Sequence, residues 1–69
     1  MIRHGIHVIR DDDRWWVVRE GESGDTSSVF QDARAAIRVG RSLARRERTE
    51  FTLYDERGKV RAWSDFQEA

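Results

Sequence analysis

Residues 32–48, DARAAIRVGRSLARRER, form the one stretch of this 69-residue chain with a sustained helical period. At about 100° per residue, Ala33, Ala36, Ile37, Gly40, Leu43 and Ala44 fall within about a third of the helix circumference. That stripe is the core face. Its side chains are mostly small, so the spacing predicts close docking on a sheet with Gly40 at the nearest point, since a mid-helix glycine costs roughly 0.5–1 kcal/mol against alanine. Asp32 is placed to cap the helix and to meet the positive end of its dipole. Arg45, Arg46 and Arg48 suit the other end, where no glycine marks a stop.

Working back from the helix, Ile6–Arg10 (IHVIR) and Trp15–Glu20 (WWVVRE) are β-branched and aromatic, with Asp11–Arg14 between them. Strand, polar turn, strand is the economical reading. Both faces of this hairpin are apolar. The expected division puts Val8, Trp16 and Val18 on one side and Ile9, Trp15 and Val17 on the other. Gly21–Ser28 is a polar connection, and Val29-Phe30 returns to apolar character before the helix. After the helix, FTLY (51–54), DERG (55–58) and KVRAW (59–63) predict a second hairpin, with Phe51, Leu53 and Val60 towards the helix. Ser64–Ala69 is a fraying tail unless Phe66 tucks in. The expected fold is α+β, β-β-α-β-β: one domain over residues 1–69, with an antiparallel sheet of two hairpins and one helix on one face.

His7-Val8, Trp16-x-Val18, Glu20-Gly21, Ser28, Asp32 before Ala36-Ile37, Gly40, Arg41, Leu43-Ala44 and Gly58-Lys59-Val60 together carry a resemblance. Over about residues 6–64 the chain resembles a small bacterial domain-of-unknown-function family, number twenty-one eighty-eight. The resemblance implies a β-β-α-β-β fold, no assigned activity, and no catalytic residues to carry over. Two positions depart from the family pattern. Asp32 stands where threonine is usual, and Glu47-Arg48 where a glycine usually ends the helix.

A chain this short has a small core and is commonly supplemented by a disulfide, a metal or a partner subunit. It contains no cysteine, which removes disulfides, zinc thiolates and a thiol nucleophile together. The N-terminus MIRHGIHVIR lacks the apolar segment of a signal peptide, and nothing has membrane-spanning length, so the expected location is the cytoplasm. Formal charge is zero but segregated: residues 1–33 carry four arginines and seven acids, residues 34–48 six arginines and Glu47, and residues 49–69 three bases and five acids.

No constellation predicts an enzyme. Asp11-Asp12-Asp13 with Glu22 echoes the ends of a calcium loop, but Trp15 and Trp16 occupy positions that a ligand and a glycine must hold, so a solvated turn is the reading. His4 and His7, three apart on a strand, point to opposite faces and cannot chelate together. The serines at 23, 27 and 28 have no nucleophile-elbow context. Gly21 and Gly24 do not open a helix as a phosphate loop requires. No metal, cofactor or small-molecule substrate is expected.

Arg34, Arg38, Arg41, Arg45 and Arg48 lie within about 80° of arc, in steps of four and three residues. Their four like-charged neighbour contacts cost roughly 1–2 kcal/mol together in an isolated helix, which internal acids or an external polyanion must offset. Overall neutrality favours the internal offset. The leading expectation is therefore a non-enzymatic interaction module, a homodimer self-associating through Ile9, Trp15, Val17 and Trp63. The alternative is nucleic-acid binding through the arginine ridge. A third reading, an antitoxin-like protein partner, rests on likeness to the partial ribonuclease-H-like domain of toxin-neutralising proteins, of which the third strand before the helix and any appended DNA-binding part are missing.

Overall fold

The computed structural model describes residues 5–20 and 27–67. Five strands and one helix follow in the order β1 (Ile6–Asp11), β2 (Arg14–Arg19), β3 (Ser28–Phe30), α1 (Ala33–Glu47), β4 (Glu50–Tyr54) and β5 (Val60–Asp65). The strands form one sheet in the order β3-β2-β1-β4-β5. All neighbouring pairs are antiparallel except the central one, β1 with β4. The α+β class, both antiparallel hairpins and the helix on the sheet are as expected, but a wholly antiparallel sheet is not what forms. The sheet is mixed, and Ser28–Phe30 supplies a third strand before the helix.

The parallel pair follows from chain direction. β2 doubles back beside β1 and β3 doubles back beside β2, which leaves the far edges of β1 and β3 open, and β4 takes the edge of β1. Helix α1, about 22 Å long at 1.5 Å per residue, then carries the chain back to the end of the sheet where β1 starts. The next strand must therefore run in the same direction as β1.

The first hairpin turns on two residues rather than four. Asp12 and Asp13 both have positive φ, 56° and 64°, the left-handed pair that a tight two-residue hairpin loop needs. That loop sets the register Val8↔Val17, Ile9↔Trp16 and Arg10↔Trp15. Directly opposed residues share a face. The expected division of the hairpin is therefore wrong: Val8 lies with Val17 and Trp15, and Ile9 lies with Trp16 and Val18. Trp15 and Val17 turn towards the helix, Val17 being buried and Trp15 packed on the core. They do not share an outer face with Ile9.

The core comprises Ile6, Val8, Val17, Ala36, Ala44 and Phe51, with Trp15, Phe30, Ile37, Leu43, Leu53 and Phe66 packed around it. Phe66 thus tucks in: its N–H donates to the Thr49 carbonyl at 3.2 Å, and the Arg45 guanidinium lies over its ring. The helix stripe meets the sheet as its spacing predicts, with Ala36, Gly40 and Ala44 buried. A Cβ built on Gly40 would stand 2.7 Å from Val8 Cγ2 and 3.0 Å from Phe51 Cε1. The helix approaches to a distance that no side chain permits.

Asp32 caps the N-terminus, its Oδ1 accepting from the Arg34 N–H at 3.2 Å. At the other end Arg48 takes the left-handed conformation itself (φ 54°, ψ 51°). The N–H of Thr49 then donates to the Ala44 carbonyl at 3.0 Å. The helix stops without glycine because an arginine accepts the strained geometry.

In the second hairpin, Asp55 Oδ1 accepts from the N–H groups of Arg57 (2.8 Å) and Lys59 (2.9 Å), and Gly58 supplies φ 84°. An irregularity at Leu53/Tyr54 pairs Tyr54 with Val60 while Leu53 pairs with Ala62. Val60 is consequently 60% exposed rather than packed under the helix. Helix α1 lies over β1, β2, β3 and β4, and β5 is left uncovered.

Two substitutions test this construction. Gly40→Ala is expected to lower stability by about 1–2 kcal/mol despite alanine's better helix propensity, because the added methyl overpacks Val8 and Phe51. Arg48→Gly is expected to raise stability by about 0.5 kcal/mol by relieving the left-handed cap. Denaturant unfolding measures both, and an unchanged or raised midpoint for Gly40→Ala contradicts the close-packing account.

Candidate functional site

Two surfaces carry the residues singled out from sequence. The first is the sheet face opposite the helix. Sheet register places Val29, Trp16, Ile9, Tyr54 and Val60 side by side across all five strands, with Val18, His7, Thr52 and Trp63 in the next row. Val29 is 43% exposed and Trp63 57%. Of the four residues expected here, Ile9 and Trp63 are present and Trp15 and Val17 are not. Trp16, Val18, Val29 and Val60 take part instead. The sequence signal for them was the Asp12-Asp13 dipeptide, which, read as a two-residue loop, moves every hairpin partner by one position.

On this face the side chains of Trp63, Trp16, His7 and Tyr54 have polar atoms already engaged. Trp63 Nε1 donates to Glu50 Oε1 at 3.2 Å, and Trp16 Nε1 donates to the Asp11 carbonyl at 3.4 Å. His7 stacks on Tyr54, with ring centroids 5.7 Å apart. Its Nε2 lies 3.2 Å from Glu20 Oε2, and its Nδ1 lies 3.0 Å from the Tyr54 hydroxyl. A carboxylate only accepts, so Nε2 carries the proton and Nδ1 accepts from the tyrosine. Residues 7, 20 and 54 are too far apart in sequence for this triad to be read without the fold. It fixes Tyr54 against the sheet. His4, the other histidine, lies outside the described residues.

The second surface is the helix flank. Arg34, Arg38, Arg41 and Arg45 border a groove of about 500 Å³ with Ile37 and Ser42. Arg48 does not continue the ridge, because the left-handed cap takes it off the helical spacing. A second cleft of about 450 Å³ adjoins it at Ile37, lined by Trp15, Leu53, Arg57 and Arg61 among others. Arg57 and Arg61 were not singled out from sequence, because nothing local shows that the second hairpin turn lies beside the helix.

Among the described residues, ion pairs join Arg10 to Asp13 and Glu56 and Arg19 to Glu47. None involves the four ridge arginines. Arg41 lies over the Phe51 ring at 5.7 Å and Arg45 over Phe66 at 5.4 Å. Among the described residues, the acids expected to flank the helix make no direct ion pair with these four arginines. Asp12 and Asp13 serve the hairpin turn, and among the described residues no three His, Cys, Asp or Glu side chains gather as a metal site.

Tyr54→Phe, which deletes only the hydroxyl on His7 Nδ1, is expected to cost about 1 kcal/mol of stability. Urea denaturation checks it, and a neutral result removes the triad's structural role.

No curated protein and no solved structure matches the chain significantly. A family model described as "Uncharacterized protein conserved in bacteria (DUF2188)" matches residues 6–63, nearly all of the sequence. With that span including β1 to β4, the helix and most of β5, the chain belongs to the DUF2188 family.

Proposed function

We propose that this protein is a small non-enzymatic interaction module that self-associates through the open face of its sheet. The carrying observation is the apolar row Val29–Trp16–Ile9–Tyr54–Val60, which crosses five strands with no element of the chain's described part over it. Contiguous apolar surface of this kind marks an interface more often than a solvated face. The indole N–H groups, His7 and Tyr54 are satisfied within the chain, so covering the face strands few polar groups. Charged residues stand at its ends, with Asp11 and Arg14 opposed at one and Glu20 and Glu50 towards the other, which leaves an apolar centre with a polar rim.

A second copy is the fitting occupant. The chain has zero formal charge, so two copies meet without net repulsion. Among the described residues the core of six buried apolar side chains is small, and a shared sheet-to-sheet layer enlarges it. No helix is long and apolar enough to cross a membrane.

Sedimentation equilibrium over a range of concentrations tests self-association. The wild type is expected to dimerise, and Val29→Lys/Val60→Lys to weaken the dimer at least about tenfold, since charges must then be buried. Both positions are exposed in the monomer, so the variant keeps its fold. A wild type that stays monomeric up to high micromolar concentration overturns the reading.

Nucleic-acid binding by the arginine flank is the second reading, favoured by the lack of ion-paired acids around the four ridge arginines among the described residues. The antitoxin-like reading gains from β3, the strand whose lack counted against it, but stays a likeness of fold.

A further inference from the structure

We infer that the groove between α1 and the β4–β5 hairpin is a binding site for single-stranded nucleic acid. This inference rests on the nucleic-acid reading above and deepens it, because the helix ridge turns out to be only one wall. Arg34, Arg38, Arg41 and Arg45 form that wall, and Arg57 and Arg61 stand on the hairpin side, the two clefts meeting at Ile37. The uncovered helix-side surface of β5 leaves the space between them open.

The floor is apolar. Ile37, Leu53 and Trp15 line it, and Trp15 is only partly buried, with the Arg10 guanidinium 5.7 Å from its ring centroid. Arginines on both sides of an apolar, aromatic floor suit a strand whose phosphates meet the walls while its bases turn inward. A duplex keeps its bases paired and offers only backbone to such a groove. The arginines from 34 to 45 recur every 4.5–6 Å along about 16 Å of helix, a regular array that fits a repeating polyanion better than scattered peptide carboxylates.

Two acids stand in the groove, and both are engaged. Asp55 Oδ1 accepts from the Arg57 and Lys59 N–H groups, and Glu56 pairs with Arg10. The flat guanidinium groups of Arg41 and Arg45 lie over Phe51 and Phe66, an arrangement that orders each planar group and leaves edge N–H donors for an anion. The groove lies on the helix side of the sheet and the open apolar face on the other, so binding and self-association do not compete.

Fluorescence anisotropy with a labelled oligouridylate, repeated across salt concentrations, tests the site. With about four to six phosphate contacts, the log–log salt slope is expected near −3 to −4. Arg34→Glu/Arg38→Glu and Arg57→Glu/Arg61→Glu should each weaken binding at least about tenfold, while Arg14→Glu/Arg46→Glu, outside the groove, should change it less than about twofold. Circular dichroism confirms that each variant stays folded. In a Trp16→Phe/Trp63→Phe background, leaving Trp15 as the one indole, bound oligouridylate should quench its fluorescence and heparin should not.

If Arg57→Glu/Arg61→Glu binds normally while Arg34→Glu/Arg38→Glu does not, the groove is overturned and the ridge reading survives. Tighter binding of a duplex of equal length overturns the single-strand assignment. No binding of any oligonucleotide at low salt overturns both inference and reading.

Discussion

The structure depends on the contact between Gly40 and the paired strands β1 and β4. Val8 and Phe51 fill the space that any side chain at position 40 would need, so the helix axis lies unusually close to the sheet. Ala36 and Ala44, one turn either side, extend the same close seam. Because α1 is drawn down over the middle of the sheet, its width covers β1 through β4 and stops short of β5. A bulkier stripe would have lifted the helix, and the cleft beside the second hairpin would have a different depth.

That single placement creates two unlike surfaces. On the helix side, the arginine flank borders one cleft and Arg57 and Arg61 line a second, the two sharing Ile37. On the other side, nothing in the described part of the chain covers the sheet, and residues that alternate with the core form an open, largely apolar band. Each strand thus serves both layers through its alternation: Val8 and Val17 pack inward, and Ile9, Trp16 and Val18 look outward. The four indole and phenol groups divide in the same way. Trp15 faces the groove, while Trp16, Tyr54 and Trp63 have their polar atoms tied down on the open face.

Much of the local structure was legible because local physics decides it. The helix period, the Asp32 cap and the small-residue stripe depend only on neighbours a few residues away. The second hairpin was marked by Gly58, although its register was not, since the irregularity at Leu53/Tyr54 turns Val60 outward. The first hairpin shows how a small error spreads. Reading Asp11–Arg14 as a four-residue connection exchanges the two faces of one strand relative to the other. Trp15 and Val17 were thereby assigned outside and Trp16 and Val18 apart from Ile9. Aspartate at both central positions of the turn is a weaker signal than Asn-Gly, and the positive φ of Asp12 and Asp13 shows only in the structure.

From sequence alone came the α+β class, the helix with its core stripe and charged flank, the absence of cysteine chemistry, and the family resemblance, all properties of composition and short-range spacing. Only the tertiary structure decided that β1 and β4 lie parallel, that Ser28–Phe30 completes the sheet, that Arg48 ends the ridge, and that Arg57 and Arg61 stand beside it. Those facts join residues far apart in the chain. They depend on which strand edge remains free when the helix returns, and no local pattern records it.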